Sequence, residues 1–295
     1  LTDWTNYDGD TWVTGEYDSA YFNSCPYFDG GTTHVRMVTE ADSMLLHDRG
    51  VDVSHLDSTL APGSIFIGDA GGYIDCIFLK TRDSNPPTAH DDLWLCYRYC
   101  AFVIDSFITD VVFDGLVFTH YNEYVIYGHY GTDRVVIRNC LFRNNAFHAI
   151  LLKGDSCLVE STRVEHSGGT GIGLRGNYSV CRNCTGYFVG NAFYANGNYC
   201  VFEDIEASHF CKKAIPYTTL NADGDGIGMG GDTGTVVRRA WFHDGFSELS
   251  NSSKAFDVWH SDSFTIEQCR IARCQYGIKC APGKRGYIRN NIVWD

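Results

Sequence analysis

From about residue 120 onward, apolar and polar positions recur in blocks. The segments 131–154, 155–176, 177–197, 198–231, 232–260 and 261–283 each open near Asp, Asn, Ser or Gly. Each then runs into alternating residues: Val135-Val136-Ile137, Cys157-Leu158-Val159, Cys200-Val201-Phe202, Val236-Val237-Arg238 and Phe264-Thr265-Ile266. A second short stretch follows, as in Cys140-Leu141-Phe142, Arg163-Val164 and Arg270-Ile271. After a polar turn comes a third: Val125-Ile126, Ala149-Ile150, Gly171-Ile172, Ala192-Phe193, Gly226-Ile227, Ala255-Phe256 and Gly277-Ile278. Every instance is a small or β-branched residue followed by a larger apolar one. Alternating runs this short, bounded by turn residues, predict strands.

Most segments are about 21 to 24 residues long, which is what three short strands and three turns require, and a period in the twenties without helical spacing marks a β-solenoid. Leu is too sparse for the Leu-x-x-Leu-x-Leu skeleton of leucine-rich repeats. The prediction is an all-β fold: a right-handed parallel β-helix over residues 101–295. Successive coils stack at about 4.8 Å, with the large residue of each third strand inside. Residues 1–100 lack the period and read as an N-terminal β-rich cap or subdomain that shields the open end of the solenoid. Within it, Pro62-Gly63-Ser64-Ile65-Phe66 followed by Gly71-Gly72-Tyr73-Ile74 predicts a β-hairpin.

The face turned to solvent follows from the third strands. One position after the large apolar residue lie Tyr127, Leu151, Gly173, Tyr194, Gly228, Asp257 and Lys279. Three positions after lie His129, Lys153, Arg175, Asn196, Gly230, Trp259 and Ala281. Strict alternation points the position two before inward, but it sits at the strand's entry, where the turn breaks the pattern. It adds His148, Asp225 and Lys254. Cations, acids and aromatics thus share one long face, bordered by Glu165 and His166.

Composition narrows the partners. The net charge of -13 repels phosphate backbones, which speaks against nucleic acid. The same field repels acidic polysaccharides unless a basic groove or a bridging Ca2+ intervenes; neutral glycans meet no such barrier. No apolar run approaches the ~20 residues that span a bilayer. The chain opens on Leu1 rather than Met and closes on Asp295 within a strand-like pattern, so an upstream leader or domain is expected. Thirteen cysteines is an odd number. Cys140, Cys157, Cys181, Cys184, Cys200 and Cys269 lie in strand-like stretches and are expected to be buried, reduced core residues. Cys181 and Cys184 have CxxC spacing without a second ligand pair.

The stretch from Pro62 to Pro87, followed by Phe113-Asp114-Gly115-Leu116-Val117-Phe118, resembles secreted carbohydrate-active proteins with right-handed β-helix repeats. That fold serves pectate and alginate lyases, polygalacturonases and phage tailspikes. The resemblance implies an extracellular or cell-surface protein that binds and cleaves a polysaccharide, by lyase or glycoside hydrolase chemistry. The alternative is a non-enzymatic structural or adhesive protein such as a tailspike-like virion component, for which a homotrimer is the expected assembly.

Lys153 and Arg175 fall at matching positions of adjacent coils. A Lys beside a like charge has a lowered pKa and can take the proton α to a uronate carboxylate, while an Arg holds that carboxylate. β-Helical alginate and pectate lyases use a Lys or Arg base in this manner. Asn221-Ala222-Asp223-Gly224 is similar to the Asn-Ala-Asp-Gly of family 9 pectate lyases, and His243-Asp244-Gly245 partly matches their Ca2+ element. The resemblance implies Ca2+ held by Asp223, Asp225, Asp244 and Asp257. The Lys that follows the motif in that family has no counterpart here. Asp225 and Asp257 also suit acid–base glycoside hydrolysis. The candidate catalytic residues are therefore Lys153, Arg175, Asp225 and Asp257, and the candidate substrate-binding residues are His129, Tyr194, Trp259 and Lys279.

Overall fold

The computed structural model describes residues 4–9, 11–14, 38–40, 43–44, 46–47, 64–70, 73–80, 83, 85–87, 94–95, 98–210, 224–245, 253–281 and 285–294. The chain divides into two compact units: Leu1–Tyr97 with Ile215–Tyr217, and Arg98–Ala214 with Thr218–Asp295. The first contains a five-stranded, mostly antiparallel sheet and a small three-stranded one. Ser64–Ala70 and Tyr73–Lys80 pair antiparallel, Ala70 against Tyr73, as the predicted hairpin requires.

The second unit is a parallel β-helix. Eight short strands, from Val112–Asp114 to Gly286–Arg289, make the first ladder. The second and third strands of the coils belong to one 14-stranded sheet, because Arg163–Leu174 and Thr185–Ala195 run through the corner between them without a break. The coil repeats after 22 residues at Asp133–Asp155 and Asp155–Asn177, and after 21 at Asn177–Asn198. At these positions each backbone N–H donates to the side-chain oxygen one coil earlier, at 2.7–3.0 Å. The turn is thereby satisfied coil by coil, as a row of buried amides requires. After the first strand the chain reverses through one left-handed residue per coil, among them Asn139, Ser161, Asn183 and Asp204. Asn and Asp tolerate that conformation better than most residues.

The inner column of third strands is continuous. Ile126, Ile150, Ile172, Phe193, Ile227, Phe256 and Ile278 pair in register, each with the next. All are fully buried except Ile278, which is partly buried. The first ladder supplies Phe113, Ile137, Val159, Cys181, Phe202, Val237 and Ile266 to the same core. The six strand cysteines are free and buried. Burial pushes the thiols of Cys157, Cys200 and Cys269 up to about 11, which keeps them protonated and poorly nucleophilic. Among the described residues, no helix is long and apolar enough to cross a membrane.

Candidate functional site on the outer face of the third ladder

The two columns stack in the predicted register, but the first is not turned to solvent along its length: Tyr127 and Leu151 are buried, as are Gly173 and Gly228, while Tyr194 and Asp257 are partly exposed. Tyr127, Leu151, Gly173, Tyr194, Gly228, Asp257 and Lys279 are successive register partners. The column of His129, Lys153, Arg175, Asn196, Gly230, Trp259 and Ala281 is linked by backbone bonds: Lys153 N–H donates to Gly128 O, Arg175 to Leu152, Asn196 to Leu174, Gly230 to Ala195 and Trp259 to Met229.

A third column joins them, against strict alternation. Ala255 and Phe256 are both fully buried, as are Val125 and Ile126, and Ala149 and Ile150. Two consecutive residues therefore point inward, and the residue before them faces outward with the one after. Tyr124 and Tyr127 show this, with ring centroids 4.9 Å apart, and so do Lys254 and Asp257, which form an ion pair. The first inward residue faces the corner. A Cβ on Gly226 would stand 2.6 Å from the Ala255 carbonyl oxygen and 2.9 Å from the Phe242 ring, and one on Gly171 2.7 Å from the Ala192 carbonyl oxygen. Glycine at 171 and 226 is thus fixed chiefly by the backbone of the next coil, while Val125, Ala149, Ala192 and Ala255 fill the same column elsewhere.

The face has two halves. In the first, Lys153 Nζ bonds Tyr127 Oη and lies 4.9 and 5.1 Å from the ring centroids of Tyr127 and Tyr130. Arg175 follows one coil later, 5.5 Å from the Tyr194 ring. Its Nε is buried without a hydrogen-bond partner among the described residues. Burial pushes the Tyr124 phenol up to about 12, with Arg175 opposing the shift. His129 meets Tyr127 edge-on at 4.7 Å, and His148 stacks on Tyr124 at 5.0 Å.

The second half is built on Asp225, Lys254 and Asp257. Lys254 is 1% exposed. Its ammonium lies 2.9 Å from Asp257 Oδ2 and 3.7 Å from Asp225 Oδ1. A Cβ on Gly228 would sit 3.2 Å from Tyr194 Cδ2 and 3.7 Å from Asp225 Oδ2. Tyr194 and the Asp225 carboxylate thus close over Gly228, leaving little room for a side chain there. Asn196 Nδ2 donates to Tyr194 Oη at 3.0 Å. The Trp259 indole lies across Gly230, whose Cβ would come within 2.9 Å of it, and Trp259 is 45% exposed. Lys279, exposed, follows Asp257 in register.

Asp244 is engaged elsewhere. It follows a second-ladder strand, and its carboxylate binds Arg273 at 2.5 and 2.8 Å and His243 Nδ1 at 2.6 Å. The Arg273 hydrogen bond holds it well below the usual carboxylate range. His243 Nε2 meets Glu206 at 3.1 Å, and its ring stacks on Trp241. Asp223 lies outside the described residues. Among the described residues no group of three or more His, Cys, Asp or Glu side chains is placed to hold a metal; of the four acids proposed as ligands, Asp225 and Asp257 are brought together.

Sequence reading places Lys254 on this face without giving it a role, and it passes over Tyr130. A signal for the first existed. The column two before the core residue reads Tyr124, His148, Thr170, Asn191, Asp225, Lys254, Tyr276, a composition that an inward column of a dry core does not have.

Residues 92–214 match a protein-family model described as a right handed beta helix region. The solenoid is right-handed. The match takes in Lys153, Arg175 and Tyr194 and ends before the Asp225–Lys254–Asp257 cluster. It describes a fold, and one fold hosts many activities. No curated protein and no solved structure matches the chain.

Proposed function

We propose that this β-helix binds an anionic polysaccharide along the outer face of its third ladder and cleaves it there. The observation that carries this reading is the pairing of Lys153 and Arg175. On the first ladder, Arg138, Arg182, Arg238 and Arg289 each engage a carboxylate. Lys153 and Arg175 instead rest on tyrosine rings, with no carboxylate ion pair among the described residues. Two adjacent cations in an otherwise acidic protein form a local site for carboxylate or sulfate groups. Tyr130, Tyr194 and Trp259 offer ring faces to the apolar faces of sugars.

For a uronate polymer the chemistry is β-elimination. Arg175 neutralises the uronate carboxylate, which acidifies the adjacent C–H. Lys153 takes that proton as the base, and the glycosidic oxygen leaves from the next carbon with a proton from solvent or Tyr127. A second reading is hydrolysis by Asp225 and Asp257. It is favoured by their sharing one ammonium, since two nearby carboxylates are the equipment of a glycosidase.

A panel of anionic and neutral glycans tests both. Retention of anionic glycans, falling at least ~10-fold in Arg175→Ala as expected for losing a charged hydrogen bond, supports the binding site. Ultraviolet absorbance of an unsaturated product, lost in Lys153→Ala, indicates elimination. New reducing ends without that absorbance, lost in Asp257→Asn, indicate hydrolysis. Retention without either product leaves an adhesive protein. Equal behaviour of wild type and Arg175→Ala on every retained glycan rules the face out.

A further inference from the structure

We propose that Lys254 is an internal counter-ion, standing where a divalent cation would otherwise bridge Asp225 and Asp257, so that this face works without Ca2+. Ca2+ takes six to eight oxygen ligands at about 2.3–2.6 Å, and carboxylates are its preferred donors. Two carboxylates converge here, one from each of two adjacent coils, and the position between them is filled by an ammonium. A buried ammonium is stable only when paired, and both acids supply that pairing. A Ca2+ ion bridging the same oxygens would lie against a fixed positive charge.

The arrangement is built in rather than incidental. Lys254 reaches Asp257 because Ala255 and Phe256 both turn inward, which puts residues three apart on one side of the strand. It reaches Asp225 because the two are register partners in parallel strands. Gly228, the register partner of Asp257, has no side chain to come between the acids. Lys254 is thus a positioning residue: it holds both carboxylates in place and lowers their mutual repulsion.

The consequence for glycans rests on the reading of this face given above, but metal binding can be measured without any glycan. Calorimetric titration of the full chain with Ca2+ is expected to show no site in wild type that Asp257→Asn removes. Lys254→Met leaves two facing carboxylates and is expected to gain one saturable Ca2+ site, absent from Lys254→Met combined with Asp257→Asn and absent from Lys254→Arg. Ca2+ should raise the melting temperature of Lys254→Met and leave that of wild type unchanged, since a ligand of the folded state stabilises it. Should Lys254→Met fold only with Ca2+, the gain of a site is shown directly; Lys254→Gln, closer in length, serves if Met prevents folding altogether. Ca2+ binding by wild type that Asp257→Asn abolishes overturns the proposal, as does a folded Lys254→Met or Lys254→Gln that gains no site. Glycan retention in chelator, equal to that in Ca2+, is the expected companion result. A chain that retains no glycan under either condition refutes the glycan reading and leaves the metal result standing.

Discussion

Single residues in this helix are constrained by what lies one coil away. Asp232 is 1% exposed, and Ser261 Oγ donates to its Oδ1. Burial lifts its pKa, while hydrogen bonds from Ser261 and Thr235 act in the opposite sense. A carboxyl whose folded pKa exceeds its unfolded value favours folding below the unfolded value and loses that contribution as pH rises through the folded one. Asp232→Asn keeps an acceptor oxygen and removes the buried charge. It should raise the urea midpoint at pH 7, and the difference should shrink towards zero below about pH 4; a lower midpoint at pH 7 would count against this account. Gly176 is constrained more severely. An added Cβ would fall within the contact radius of the Gly154 carbonyl oxygen, which belongs to the backbone and cannot rotate away. Gly176→Ala is expected to cost more than ~3 kcal/mol, in the range reserved for strain at special backbone positions, and to appear as low soluble yield or a large drop in urea midpoint.

Among elements, the first ladder shows how stacking register is specified. Asp114, Arg138, Glu160, Arg182, Glu203, Arg238, Glu267 and Arg289 are consecutive register partners on its outer face. Acid and base alternate coil by coil, and four of the contacts close at 2.6–2.9 Å. Exposed pairs of this kind contribute ~0–1 kcal/mol each. Their larger effect is on specificity, because skipping one coil during stacking would oppose like charges. Arg182→Ala should therefore cost no more than ~1 kcal/mol, and less still in high salt. Phe193→Ala, in the inner column, should cost ~3–5 kcal/mol. Urea melts of the two variants at low and high salt would check both the ranking and the salt dependence.

Over the whole molecule, folding stability should follow the carboxylates held by arginine. Asp110 and Asp262 lie at about 2, each lowered chiefly by its hydrogen bond to Arg134 or Arg285. Asp114, Glu203, Asp204 and Asp244 are also lowered. A folded pKa below the unfolded value contributes stability at neutral pH that disappears as pH falls from the ordinary carboxylate range near 4 towards the folded values. Thermal melts followed by circular dichroism should move to lower temperature over that interval. A melting temperature flat down to pH 2 would show that these pairs do not contribute.

Much of this architecture is legible in the residue pattern. The segments 131–154 to 261–283 announce the coil, the column from Ile126 to Ile278 announces the core, and Lys153, Arg175, Tyr194, Asp257 and Trp259 can be placed on one face by counting from it. These inferences succeed because strand alternation and coil stacking are local rules, obeyed wherever the chain runs straight. What only the tertiary structure decided lies at the corner between second and third strands. There, two consecutive residues turn inward, and at Gly226 the Phe242 ring and the Ala255 carbonyl of the next coil close on the first of them. That choice depends on packing between strands distant in the coil, so no count along one strand contains it. Asp225 and Lys254 can be counted onto this side from the strand's entry, but only the fold brings that one ammonium between two carboxylates and leaves Asp244 on the second ladder, held by Arg273 and His243.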